Sequence, residues 1–387
     1  MDFTLNDEQR QFRRTLRDFV DKDIVPVARE WEQSGRYPAE IVETMKEMGL
    51  FGLLVPEEYG GLAVDLVSFA LVFEEIARGW MGVAGILGSH SLATWMIARH
   101  GTEDQRTRYL PELATGERRT GIALTEPDAG SDLQGITTRA RLDGDHYVVD
   151  GTKMWITNAR YADPMPVLVK TDPTASPAHR GMSILLVDAA TPGYEITRDL
   201  PKLGYNGPET CEIVLTGVRV PKENLLGGVE GRGLQQALSA LEVGRINVAA
   251  RSVGIAQRAY EEALDYSRQR RAFGRPIADF QAIQLKIADM ATGVQSARLL
   301  TYWAASRKDE TERADLETGM AKLHASEVAV SAAQEAMRVH GAYGYSKEYE
   351  VERLFRDSML MSIGEGTSDI LRTVIAKKLV AGQGRVG

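Results

Sequence analysis

Thr125-Glu126-Pro127-Asp128-Ala129-Gly130-Ser131-Asp132 stands where the chain changes its periodicity. Upstream, apolar residues recur at helical spacing to about Arg118; downstream they fall into short alternating runs separated by turns. Taken alone the string reads as a loop, because hydroxyl-bearing, acidic and glycine residues are turn formers. Its position between two kinds of pattern makes it a boundary.

On the N-terminal side, Asn6 followed by Asp7, Glu8 and Gln9 is a helix start, with Gln9 where a capping box places Glu or Gln. Phe12, Leu16, Phe19 and Val20 form one apolar stripe, and Ile41, Met45 and Met48 another. Residues 1–118 are therefore expected to be an N-terminal helical domain. On the other side, His146 to Val149, Met154 to Thr157, Val167 to Lys170, Ser183 to Val187 and Ile213 to Val220 read as strands. Asp143-Gly144 and Asp150-Gly151 read as hairpin turns. Residues 119–228 are expected to be a small β domain or β-barrel. Beyond Gly233, helical patterns over Leu234 to Arg271, Ala278 to Ser306, Ala314 to Val339 and Ser368 to Val380 predict a four-helix bundle within 229–387. The fold class is α+β, mostly α.

The 387 residues suffice for two or three domains. The net charge of -8, with both signs interspersed, gives no nucleic-acid footprint. Cys211 is the single cysteine, so neither a disulfide nor a CxxC metal or redox pair is available, and no metal is expected. Met1 to Arg10 is polar, unlike a signal peptide, and a cytoplasmic location is expected. The apolar stretch from Val67 to Ala98 is interrupted by Glu74, Glu75 and Arg78, so it reads as buried helices and no membrane partner is expected. The run Gly228-Val229-Glu230-Gly231-Arg232-Gly233 lacks Gly-x-Gly-x-x-Gly spacing and reads as a loop entering the bundle.

Two further strings carry chemistry. Gly364-Glu365-Gly366-Thr367 sets a carboxylate between glycines, with Ile363 before it and Ile370-Leu371 after it suggesting an apolar surrounding. A carboxyl group so placed has a raised pKa and is suited to act as a base. Lys153-Met154-Trp155-Ile156-Thr157-Asn158 puts an indole and a hydroxyl on one face of a strand, where they can flank a planar ring.

With Pro56-Glu57-Glu58-Tyr59-Gly60-Gly61 and Arg270-Arg271-Ala272-Phe273-Gly274, these strings fall in the order and register of the acyl-CoA dehydrogenase family, which the chain resembles along its whole length. Leu241-Glu242-Val243-Gly244-Arg245 is most similar to the short-chain, butyryl-CoA dehydrogenase-type members. The resemblance implies FAD between the β domain and the bundle, with the isoalloxazine held by Leu124, Thr125, Ser131, Trp155 and Thr157, and approached by Thr367 and Asp369. It implies that Arg270, Phe273, Gln281 and the segment Arg338, Val339, His340, Gly341 and Ala342 hold the ADP half of FAD in a neighbouring subunit. Ser131, Glu242, Arg245, Gly364 and Gly366 are the implied substrate contacts.

The implied reaction is α,β-dehydrogenation of an acyl-CoA thioester to the trans-2-enoyl-CoA, with Glu365 as α-proton base and hydride passing to flavin N5. The implied partners are acyl-CoA, an electron-transferring flavoprotein and further copies of the chain in a homotetramer, in a fatty-acid β-oxidation setting. Some family members carry the base at the position of Gly244, which is glycine here. Alternatives on the same fold are the same chemistry on an acyl-carrier-protein thioester and a flavin oxidase or monooxygenase. Three departures stand out: Gly364 where Tyr is common, Arg338 where Gln is usual, and Gly88 at the expected end of the acyl cavity. Gly364 is expected to widen the site, Gly88 to lengthen it, and Arg338 to alter the geometry at the pyrophosphate.

Overall fold

The computed structural model describes residues 4–382. The first three and last five residues of the expected outer domains, including Met1 of the expected N-terminal signal-free stretch, lie outside them. Six helices come first: α1 (Asp7–Phe19), α2 (Val25–Ser34), α3 (Ala39–Glu47), α4 (Leu66–Gly79), α5 (Met81–His100) and α6 (Glu103–Thr115). The capping box at Asn6 and Gln9 forms as expected, satisfying amide groups that open α1. Leu16, Phe19 and Val20 are buried in one core with residues of α4 and α5.

α5 is long and apolar enough to span a membrane, and Glu74, Glu75 and Arg78 belong to α4 instead. Packing decides its place: it is a core helix, enclosed by α4, α6 and the first bundle helix.

The middle domain is a six-stranded sheet of β1 (Arg139–Asp143), β2 (His146–Thr157), β3 (Met165–Lys170), β4 (Met182–Val187), β5 (Tyr194–Asp199) and β6 (Thr210–Pro221), in the order β4-β3-β1-β2-β6-β5. Only the β1–β3 pair is parallel. Strands β4 and β6 share one apolar core, so the sheet curls, but no ladder closes it into a barrel among the described residues. The Asp143-Gly144 turn joins β1 and β2, whereas Asp150-Gly151 is not a turn. Gly151 lies inside β2 at a register shift, where a Cβ would come within 2.6 Å of Thr138 Cα. A glycine within a long strand was mistaken for the end of one.

The C-terminal domain holds α7 (Gly233–Gln269), α8 (Gln281–Glu310), α9 (Asp315–His340), α10 (Val351–Met361) and α11 (Ser368–Val380). Alanines 249, 256, 259 and 263 of α7 and 321, 325, 329, 333 and 336 of α9 are buried in one core, and such small side chains let the two helix axes approach. α10, which the sequence reading omitted, packs on α7 and α9 as the fourth bundle member, while α11 lies against α9. One apolar cluster ties the three parts together: Met96, Ile97, Leu110 and Leu113 meet Leu168, Ile184 and Leu186 of the sheet and Ala237 and Ala240 of α7. The start of α7 is thereby fixed between the other two domains.

Candidate active site

The Glu365 loop is pinned at both ends. At its start, Leu360 O accepts the N–H groups of Ile363 (3.0 Å) and Gly364 (2.9 Å); at its end, Ser368 N–H reaches Ser362 O at 2.9 Å. Thr367 Oγ1 caps α11 by accepting from Ile370 N–H. Between these anchors Glu365 adopts φ 54° and Gly366 φ 98°. The left-handed region costs a glutamate energy and a glycine little, so Gly366 supplies the turn while Glu365 is held under strain. Gly364 has another role: a Cβ there would meet only Leu360 O at 3.5 Å and Leu360 Cδ1 at 3.9 Å, so the glycine leaves space. The apolar surrounding inferred from neighbouring isoleucines is only partly correct, since Leu371 is buried but Ile363 and Ile370 are exposed.

The Glu365 carboxylate lies on Gly244 of α7. A Cβ at Gly244 would stand 2.7 Å from Glu365 Cδ and closer still to Oε2, so the two positions converge on one volume. Oε2 is buried without a hydrogen-bond partner. Burial raises the pKa of the carboxyl group, and Arg251, Lys322 and Arg245, in that order, oppose the rise without cancelling it. Lys322 Nζ also donates to Gly366 O at 2.7 Å, tying the loop to α9. Its own pKa is lowered to about 8 by burial.

The two strings on the sheet side are joined by a buried ion pair. Glu126 accepts from Lys153 Nζ at 2.9 Å and from the N–H groups of Thr137 and Thr138 at 2.6 and 3.0 Å. Together these partners hold its pKa down to about 2 despite burial. Lys153 Nζ also donates to Leu124 O, and Met154 N–H donates to Thr125 O at 2.9 Å, which sets Leu124 and Thr125 beside β2. A bulge between Lys153 and Ile156 breaks strict alternation, buries both of those residues and turns Trp155 outward at φ 66°. Trp155 is 54% exposed. The half-buried Thr157 next along keeps only a 3.4 Å contact between its Oγ1 and Tyr205 Oη. An uncovered indole face beside a weakly engaged hydroxyl suits a planar, hydrogen-bonding ring, so these residues fit a flavin. Ser131 is exposed on the adjoining loop.

The other expected contacts do not share one place. Glu242 is a correction: it is fully buried with both oxygens committed, to Lys308 at 2.8 Å, Arg313 at 2.7 Å and Ala314 N–H at 3.0 Å, so it anchors helix ends and has no oxygen left for a substrate. Arg245 is buried beside Gly244, 3.8 Å from Asp315, with Nε and one terminal nitrogen unpartnered. Arg270, Phe273 and Gln281 lie far off, around the hairpin of β7 (Arg271–Ala272) and β8 (Arg275–Pro276). From Gly244 to Arg270 the helix climbs 26 residues, about 39 Å at 1.5 Å per residue. Within one chain the hairpin residues therefore stand well apart from the Glu365 side of the site. Phe273, at the hairpin tip with φ 49°, is 95% exposed. Of the 338–342 run, Arg338, Gly341 and Ala342 are exposed, but Val339 and His340 are buried, and His340 stacks on Tyr266. Those two side chains are therefore bundle core and not free to meet a cofactor. Asp369 is exposed and pairs with Arg372.

The expectation for Gly88 is also overturned. A Cβ there would stand 2.8 Å from Asn247 Nδ2, so the space the glycine opens is taken by that amide and the cavity is not lengthened. Asn247, Arg251, Lys322 and Tyr205 were not singled out from the sequence. Asn247 and Arg251 had a signal, since they recur three and seven residues after Gly244, on the same helix face.

Comparison with known proteins gives the chain its family. The models for the acyl-CoA dehydrogenase N-terminal, middle and C-terminal domains match residues 6–117, 121–218 and 231–380. The chain is 44% identical to a probable acyl-CoA dehydrogenase, YngJ, of Bacillus subtilis over 98% of this chain and 100% of that protein. It is 41% identical to the caffeyl-CoA reductase-Etf complex subunit CarC of Acetobacterium woodii, covering 97% and 99% of the two chains. The structure of butyryl-CoA dehydrogenase from Megasphaera elsdenii superposes with a TM-score of 0.95 at 37% identity, covering 98% of this chain and 100% of that one. The chain belongs to the acyl-CoA dehydrogenase family, FAD flavoprotein oxidoreductases that act on CH–CH bonds of acyl-CoA thioesters.

Proposed function

We propose that Glu365 is the base of this dehydrogenation. The observation that carries the reading is its unpartnered, buried Oε2, packed on Gly244 and with a raised pKa. An orphaned carboxylate oxygen costs stability and persists where a reaction needs it. Glu365 takes the proton from the α-carbon of the thioester, and the C–H electron pair becomes the new Cα=Cβ bond as the β-hydrogen leaves with its own pair. Leu124, Thr125, Ser131, Trp155 and Thr157 would hold FAD, which would supply the acceptor for that hydride. The backbone N–H of Glu365 is the chain's donor to the thioester carbonyl, where negative charge gathers as the proton departs. Arg251, Lys322 and Arg245 place positive potential around the carboxyl group and favour its ionised, proton-accepting form against the effect of burial.

Gly364 is proposed to admit an α-branched or otherwise bulky acyl group, supported by the open space over it. Assembly as a homotetramer is supported by the length of α7 between Gly244 and Arg270 and by the bare Phe273, which suit a second copy completing each flavin site. An electron-transferring flavoprotein is the proposed acceptor, supported by the Etf complex named for the relative from Acetobacterium woodii. A cytoplasmic location belongs to the same proposal. Anaerobic titration of the purified flavoprotein with straight and branched acyl-CoAs tests base and substrate together. Bleaching by at least one thioester, lost in Glu365→Gln at equal FAD content, is the expected result.

A further inference from the structure

Buried cations normally pair with carboxylates; Arg251 acts on the Glu365 carboxylate through space but forms no ion pair with it. It is 7% exposed, its Nε is buried without a partner, and among the described residues no carboxylate pairs with it and no group accepts a hydrogen bond from it. One turn before it, Asn247 is fully buried with both Nδ2 and Oδ1 unpartnered. Leaving a guanidinium and an amide unsatisfied in one place is costly unless something else satisfies them.

Their place in the fold says where that something arrives. Gly244, Asn247 and Arg251 share a face of α7, and Arg251 lies two turns, about 10 Å, beyond the residue that carries the Glu365 carboxylate. Side chains on a helix lean toward its N-terminus, so both polar groups lean back toward Glu365. Opposite them, Gly88 makes room for the Asn247 amide, and Gly85 makes room for the buried ring of Tyr205. Just past Arg251, Gly254 closes onto α4, where a Cβ would be 2.9 Å from Arg78 N. Arg251 and Asn247 therefore stand on the α7 face between the Glu365 carboxylate and the place where Gly254 closes onto α4. The other charges reaching Glu365 are Lys322 and Arg245, so the carboxylate is outnumbered by cations.

We infer that Arg251 and Asn247 form an anion-recognising subsite on the α7 face beyond Glu365, and that the acyl group oxidised here carries a second carboxylate. This rests on the reading of Glu365 as base. The guanidinium offers paired donors that match a carboxylate, and the Asn247 amide adds a third. Gly364, on the base side, leaves the width that a substituted dicarboxylic chain requires.

The test pairs thioesters of equal length that end in carboxylate or methyl: succinyl- with butyryl-CoA, glutaryl- with pentanoyl-CoA, adipyl- with hexanoyl-CoA. Binding to the FAD-loaded protein is read by calorimetry and reaction by flavin bleaching. In at least one pair the carboxylate member should bind about 10-fold tighter, and Arg251→Gln should shift that ratio about 100-fold toward the methyl member while Arg251→Lys restores part of it. Methyl-ended thioesters binding tighter in every pair, or a ratio unmoved by Arg251→Gln, would overturn the subsite. Should Arg251→Gln not fold, the wild-type ratios and Asn247→Ala decide. Binding of a carboxylate thioester without bleaching by any thioester would instead sink the role of Glu365.

Discussion

Two buried polar clusters meet the same helix system and are built in opposite ways. On α4, Glu74 accepts from Arg13 at 3.1 Å, Arg298 at 2.9 Å and Tyr302 at 2.7 Å, and Glu75 accepts from Arg13 at 2.7 Å and from Arg17 twice at 2.9 Å. These partners pull the Glu75 pKa down although burial pushes it up. At the other cluster Glu365 has an empty Oε2 and a raised pKa, and Asn247, Arg245 and Arg251 have unpartnered nitrogens. Both clusters bury charge, but only the first spends it on the fold. Satisfied groups mark what stabilises the protein; unsatisfied ones mark where it awaits a ligand.

Neutralising one carboxylate in each cluster should separate the two roles. Glu365→Gln is expected to cut kcat/KM on the order of 1,000-fold. The same variant should be more thermostable than wild type above neutral pH. A glutamate whose folded pKa is raised binds its proton more tightly when folded, so stability falls as pH rises from the unfolded pKa through the folded one. Glutamine removes that loss, and calorimetric melting at two pH values checks it. Glu75→Gln should do the reverse, lowering stability by about 1–3 kcal/mol in a denaturant titration, since Arg17 loses its carboxylate partner and Arg13 keeps only Glu74. Its kcat/KM per folded molecule should stay near wild type. A less stable Glu365→Gln, or an inactive but stable Glu75→Gln, would break the contrast.

Smaller effects sharpen it. Gly244→Ala pushes into the carboxylate and should cost about 100-fold in kcat/KM with little loss of FAD, because a misplacement near 1 Å is enough. The double change Gly244→Glu with Glu365→Gly should recover part of the rate if the two positions serve one volume. Removing the largest opposing cation with Arg251→Gln should move the acid limb of the kcat/KM profile to higher pH. Gly364→Ala fits without strain and should lower kcat/KM for α-branched thioesters only a few-fold.

The sequence made the helical and β blocks legible because their periodicities differ, and α11 was read to the residue as Ser368–Val380. β2 was read as two strands because Gly151 looks the same in a turn and in a bulge pressed against Thr138. α10 was missed because its eleven residues follow the irregular stretch around Gly341 and Tyr345. Within the site, Glu365 was legible from its flanking glycines. The pairing of Glu126 with Lys153 was not, since 27 residues and a sheet register separate them. Glu242 misled because its commitment to Lys308 and Arg313 comes from the end of α8 and the connection after it, far along the chain. Asn247 and Arg251 lay in view on the α7 face, but their missing partners are visible only once the rest of the fold is packed around them.

The central claim is that the unpartnered carboxylate of Glu365 removes the α-proton. The most direct test is the rate of anaerobic flavin bleaching by one reactive thioester in wild type and Glu365→Gln, matched for bound FAD and for thioester Kd. Fast bleaching in wild type and a loss on the order of 1,000-fold in the variant, with Kd little changed, is the predicted result. Bleaching at the wild-type rate in Glu365→Gln would contradict it and send the search for the base elsewhere along α7.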